Sequence, residues 1–171
     1  MLTKEVSALL NEQINKELYS AYLYLDMANY YADEGLDGFA NWFYVQAQEE
    51  RDHAMLIRTY LQNNEYRVTF DAIAAPDVVF DSYKKPLEAA LAHEQLVTAS
   101  INNIYQVAVD ARDYRTMEFL NWFIKEQGEE EKSASDLIRK YELFGNDPKS
   151  LYLLDQELGA RTYVAPTLVL D

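Results

Sequence analysis

Four glutamates, two glutamines and one histidine interrupt stretches of sequence that are otherwise patterned for burial. At helical spacing the first long segment gives the stripe Leu10, Ile14, Glu17, Ala21, Tyr24 and Ala28. The second gives Phe39, Phe43, Gln46, Glu50, His53 and Ile57. The third gives Leu87, Leu91, Glu94, Val97 and Ile101, and the fourth gives Leu120, Phe123, Gln127, Glu130, Ala134 and Leu137. Each stripe is apolar at both ends and polar in the middle. A buried, unpaired carboxylate is costly and ordinarily becomes neutral. One such residue alone reads as a partly exposed or salt-bridged glutamate. Four mid-stripe interruptions on four helices point to bound cations, which offset charge repulsion and desolvation together.

The spacings support this. Glu17 precedes Glu50 by 33 residues and Glu94 precedes Gln127 by 33. His53 follows Glu50, and Glu130 follows Gln127, one helical turn later on the same face. The two halves therefore read Glu…Glu-x-x-His and Glu…Gln-x-x-Glu, a degenerate repeat of the ligand pattern of di-iron carboxylate bundles. Carboxylates with one imidazole suit iron or manganese, and a carboxylate can bridge two such ions. The set is asymmetric. An ion near Glu17, Glu50 and His53 is held more fully than one near Glu50, Glu94, Gln127 and Glu130. Iron in the second position can oxidise and move on. Tyr24, on the Glu17 face, is placed to donate a hydrogen bond to a ligand or an electron to an oxygen species; as one of 14 tyrosines it also reads as ordinary core. Glu49, Glu126, Glu129 and Glu130 form either a solvated acidic face or a third, outer iron site.

These residues need long helices to carry them. With only five glycines and four prolines, the chain is expected to be all-α. Helices are predicted over about 3–33, 38–63, 86–110 and 113–144, each roughly 40–47 Å long. Gly145 is expected as the C′ residue that ends the fourth. A short fifth helix, 147–158, is capped by Asp147 with Pro148 in its first turn and Gly159 behind it. Short links make the first and second helices antiparallel, and likewise the third and fourth. The long connection from about Glu65 to Ser82 either crosses the bundle end to end, making the second and third helices parallel, or forms a lid. The tail from Ala160 to Asp171 shows no period. One domain is expected over 1–158, with 159–171 as a tail.

The bulk numbers exclude much. There are no cysteines, so disulfide scaffolds, zinc ribbons, iron–sulfur centres and thiol nucleophiles are ruled out. A cytoplasmic location is the simplest expectation. A net charge of −14 argues against nucleic acid as a partner, which needs a basic surface. It suits cations, although solubility alone explains it too. No apolar run is long enough to span a membrane.

Glu17, the run Gln48-Glu49-Glu50-Arg51-Asp52-His53, Glu94, and the run Glu126-Gln127-Gly128-Glu129-Glu130-Glu131-Lys132 together resemble the bacterial non-haem ferritin pattern. The resemblance covers about residues 1–158. It implies a ferritin-like four-helix bundle with a long crossover between the second and third helices and a short C-terminal fifth. It implies a homo-oligomeric cage of 24 subunits that oxidises Fe(II) with O2 or H2O2 and deposits a ferric oxide-hydroxide mineral inside. The first iron falls to Glu17, Glu50 and His53, and the second to Glu50 and Glu94 with Gln127 and Glu130 nearby. The outer iron falls to Glu49, Glu126, Glu129 and Glu130. Haem is not expected. Arg51 and Asp52 stand where haem-bearing relatives carry a methionine between Glu and His, and Gln127 and Glu130 stand where those relatives have Glu-x-x-His. Met117 and Leu120 occupy positions where animal heavy-chain ferritins line their three-fold pores with acids. The alternatives are another di-iron oxidase or peroxidase on the same bundle, or a structural bundle with buried salt bridges.

Overall fold

The chain folds into five helices, seen here in a computed structural model that describes residues 2–170. They are α1 (Lys4–Asp33), α2 (Asp37–Asn63), α3 (Lys85–Asp110), α4 (Tyr114–Phe144) and α5 (Pro148–Leu158). Among the described residues no helix is long and apolar enough to cross a membrane.

Local chemistry sets the ends. Thr3 caps α1 by accepting from the Val6 N–H at 3.2 Å. Gly35, at φ +76°, turns the chain out of α1 in the left-handed region, and Leu36 N–H closes on the Tyr31 carbonyl at 2.9 Å. Asp113 caps α4 through the Thr116 N–H at 3.1 Å, and Asp147 caps α5 through the Ser150 N–H at 2.8 Å. Gly145 ends α4 but not as expected. Its backbone is right-handed, with φ −75°. Crowding is what favours glycine there, because an added Cβ would lie 2.6 Å from the Tyr141 ring.

The long connection, residues 64–84, crosses the bundle and is no lid. It runs along α1 from start to finish. Asn11 donates to the Thr69 carbonyl at 3.0 Å, and Asn15 donates to the Ala72 carbonyl at 3.2 Å. Farther along, Phe80 packs on Tyr30, and the Tyr31 hydroxyl donates to the Tyr83 carbonyl at 2.5 Å. The connection thus delivers α3 to the end of the bundle where α2 began, and the two helices run parallel.

The core is split. One apolar cluster holds Leu10, Ile14, Ile57, Ile101, Leu120 and Phe123 among others. The second gathers Met27, Tyr31, Phe39, Phe43, Leu87 and Leu137. Glu17, Gln46, Glu50, His53, Glu94, Gln127 and Glu130 are all buried yet belong to neither cluster. They form a polar band across the middle of the bundle.

The fifth helix closes one end. Its buried Asp155 accepts from the Phe39 N–H at 3.0 Å and so caps α2, which has no cap of its own. Backbones approach closely here: a Cβ on Gly38 would fall 1.7 Å from the Asp155 carbonyl oxygen. Gly38→Ala is therefore expected to lower stability by about 1–3 kcal/mol in thermal unfolding. Gly128→Ala, where an added Cβ meets nothing within 4 Å, is expected to be neutral or up to about 1 kcal/mol stabilising.

Candidate metal centre

The polar band is assembled from the four long helices. Glu17 comes from α1, Glu50 and His53 from α2, Glu94 from α3, and Gln127 and Glu130 from α4. Glu17, Glu50 and His53 each offer a ligand atom within 4.8 Å of the others, and each is about 1% exposed. His53 Nδ1 lies 3.5 Å from Glu50 Oε2. No hydrogen-bond donor reaches Glu17 Oε2, and His53 Nδ1 has no partner. Buried polar atoms are ordinarily paired. Two unpaired ligand atoms facing a second carboxylate fit a metal ion bound by oxygen and nitrogen.

The other half is satisfied internally. Glu94 accepts from the Tyr24 hydroxyl and, at 3.0 Å, from Gln127 Nε2. Gln46 Nε2 donates to Glu50 Oε1 at 3.1 Å and to Glu130 Oε2 at 2.7 Å, joining α2 to α4. Gln13 donates to Glu17 Oε1 at 2.9 Å, which fixes that carboxylate and leaves its other oxygen to face the centre.

The remaining acids are more dispersed. His53, Glu126 and Glu130 form a second group of ligand atoms within 4.8 Å, with His53 Nε2 4.0 Å from Glu126. Glu49 is drawn to Arg161 at 2.6 Å. Glu129 is largely exposed and faces Lys125 at 3.7 Å. Glu49, Glu126, Glu129 and His53 nonetheless line one cavity of about 230 Å³, walled on the far side by Val164, Ala165, Pro166 and Thr167.

Four participants were given no role from the sequence. Gln13 and Gln46 were legible: each stands four residues before a glutamate, and the pair recurs at the interval that separates Glu17 from Glu50. His93 packs against Tyr24 at 6.0 Å and bonds Ser20 at 2.7 Å, because the neighbouring helix α1 meets that face of α3. Burial lowers its pKa to about 4, so it is neutral. Arg161 lies in the aperiodic tail, where no spacing signals a partner.

Burial, with the Glu50 charge second, pushes Glu17 up to about 8. Glu50 and Glu130 are pushed well above the carboxylate range, again by burial first and neighbouring carboxylates next. Glu94 is raised by burial against the opposing bonds from Tyr24 and Gln127. Metal-free, the centre therefore holds protons at pH 7. An unfolded glutamate ionises near 4.5, whereas folded Glu17 ionises near 8. Between those values the folded chain binds more protons, so metal-free stability falls as pH rises through that window. A divalent ion must displace those protons. Zn(II) binding at pH 7, followed by calorimetry in buffers of different ionisation enthalpy, is expected to release at least about one proton per centre. The release should be smaller above pH 8 and in Glu17→Gln, by the proton that Glu17 contributes.

The chain matches the family model described as Ferritin-like domain over residues 7–144. It is 42% identical over 163 residues to a bacterial non-heme ferritin of Staphylococcus epidermidis, covering 95% of this chain and 98% of that one. A bacterial non-heme ferritin of Staphylococcus aureus is 40% identical over the same coverage. Among solved structures, an open-pore ferritin of Archaeoglobus fulgidus superposes with a TM-score of 0.92 at 41% identity, covering 95% of this chain and all of that one. An engineered closed form of the Archaeoglobus fulgidus ferritin gives 0.93 at 40% identity, over 96% of this chain and all of that one.

Proposed function

The chain belongs to the ferritin-like family, and from that premise we propose that it stores iron by oxidising Fe(II) at the Glu17–Glu50–His53 centre. One observation carries this reading beyond membership. Glu17 Oε2 and His53 Nδ1 are buried, unpartnered and turned toward Glu50 at mid-height of the bundle. In a buried band such atoms are left to a shared proton or to a cation that displaces it.

In this proposal two ferrous ions enter as substrates. The first is held by Glu17, Glu50 and His53. The second is held by Glu50 and Glu94, with Gln127 and Glu130 beside it. Each iron loses one electron to O2 or H2O2, and the ferric product hydrolyses to an oxide-hydroxide mineral. Glu50 faces both positions and serves as the bridge. Tyr24 donates its hydroxyl hydrogen to Glu94, which orients that carboxylate and places an oxidisable ring beside the second iron. Gln127 is neutral and already donates to Glu94, so the second iron gains few protein ligands and leaves readily. Its route runs past His53 Nε2 to the outer acids Glu49, Glu126, Glu129 and Glu130. The same proposal takes the subunit into a homo-oligomeric cage of 24 copies in the cytoplasm, as the resemblance to bacterial non-haem ferritins implies. A di-iron oxygenase on this bundle would want an apolar substrate cavity by the metals. The cavity beside His53 instead sets Glu49, Glu126, Glu129 and Lys125 opposite the apolar wall of Val164, Ala165 and Pro166.

The test is aerobic Fe(II) addition to the assembled protein, followed by stopped-flow absorbance. Glu50→Ala or His53→Ala is expected to slow initial oxidation by about 10–100-fold while the assembly stays intact. Wild-type rates no faster than those variants would refute the assignment.

A further inference from the structure

The C-terminal tail, which carries no sequence period, is held across the outer acids at both ends. Asn41 donates to the Arg161 carbonyl at 2.9 Å, and the Tyr163 hydroxyl bonds Asp52. Beyond the cavity, the Trp122 indole donates to Thr167 at 3.0 Å, and Leu168 and Leu170 pack against the core. Residues 164–167 thus form one wall of the cavity whose other wall is His53, Glu49, Glu126 and Glu129. Trp122 also packs on the His53 ring at 5.5 Å, so the strap is one residue removed from the centre.

The single basic residue of this tail is Arg161. Its guanidinium lies 4.4 Å from the Trp42 ring centroid, and Nη1 donates to the Trp42 carbonyl at 3.1 Å. Nη2 donates to Glu49 Oε2 at 2.6 Å and to Gln46 Oε1 at 2.9 Å. The second bond matters because it fixes the Gln46 amide. With its oxygen on Arg161, its nitrogen must face inward, where it donates to Glu50 and Glu130. One guanidinium nitrogen therefore touches an outer acid directly and two centre carboxylates through one intervening side chain.

We propose that Arg161 is a resident cation that occupies Glu49 at the edge of the outer acids, so that the tail gates the passage of metal from the centre to those acids. A metal ion settling at Glu49 must displace Arg161. That displacement frees Gln46 to turn and releases Glu130 from its bond, and Glu130 already shares a ligand-sized group with His53 and Glu126. Arg161 is a positioning residue here, acting through Gln46 and Glu49. The inference rests on the reading of the centre as a metal site, and the test separates the two.

The experiment uses the full-length assembled protein with Zn(II) as probe. Affinities come from calorimetry, and site occupancies come from zinc anomalous scattering in soaked crystals. Arg161→Gln keeps the tail and its Tyr163 and Thr167 contacts but removes the cation. It is expected to tighten Zn(II) at Glu49, Glu126 and Glu129 by about tenfold, with zinc at Glu17, Glu50 and His53 retained. Arg161→Lys restores a cation and is expected to return outer affinity to within about twofold of wild type. Unchanged outer affinity in Arg161→Gln, with the centre still filled, would overturn the gate alone. So would equal weakening of both sites, which would mark Arg161 as merely structural. No zinc at Glu17, Glu50 and His53 in any variant would overturn the reading of the centre itself.

Discussion

The desolvation of buried carboxyl groups, with their mutual repulsion second, governs this fold. Glu17, Glu50, Glu94 and Glu130 are held within the core at mid-height, each with its charged form disfavoured by burial before any neighbour is considered. Moving one such charge out of water costs several kcal/mol even after relaxation. The chain meets that cost in two ways. Neutral donors hold the carboxylate oxygens: Gln13 on Glu17, Gln46 on both Glu50 and Glu130, and Gln127 and Tyr24 on Glu94. The rest of the cost is left for protons or metal ions, which exchange with one another.

Most other features follow from keeping that band intact. The hydrophobic core is divided in two because the band occupies its middle, and stacked aromatics stiffen both halves: Tyr60 on Phe119 at 4.0 Å in one, Tyr31 on Phe39 at 5.0 Å in the other. The long crossover lets two parallel helices and two antiparallel partners meet at one level, so that ligands on four helices converge. The fifth helix caps α2 through Asp155 and leads the chain to Arg161, which lies over the α2 face carrying Trp42, Gln46 and Glu49. Strength and function are opposed at the band and aligned at its borders.

The sequence made the helices and the ligand band legible because both depend on period. Residues spaced by whole turns share a face whatever surrounds them, so Glu17, Glu50, Glu94 and Gln127 could be placed on buried stripes. Period was silent on three points. It could not show that His93 turns toward α1, since that depends on which helix packs beside α3. It placed the end of the fourth helix at Gly145 but could not show that the Tyr141 ring crowds that position while the backbone stays right-handed. It could not place the tail, whose contacts through Arg161, Tyr163 and Thr167 join residues more than forty positions apart in the chain. The resemblance to bacterial non-haem ferritins named the chemistry. Residue spacing alone reached only a di-metal carboxylate bundle.

The central claim is that the buried band exists to hold iron. Crystals soaked anaerobically in Fe(II) and measured at the iron absorption edge test it most directly. Two anomalous peaks are predicted, one between Glu17, Glu50 and His53 and one beside Glu50 and Glu94, with Glu50 common to both. Iron confined to exposed surface acids, with no density between Glu17 and His53, would contradict it.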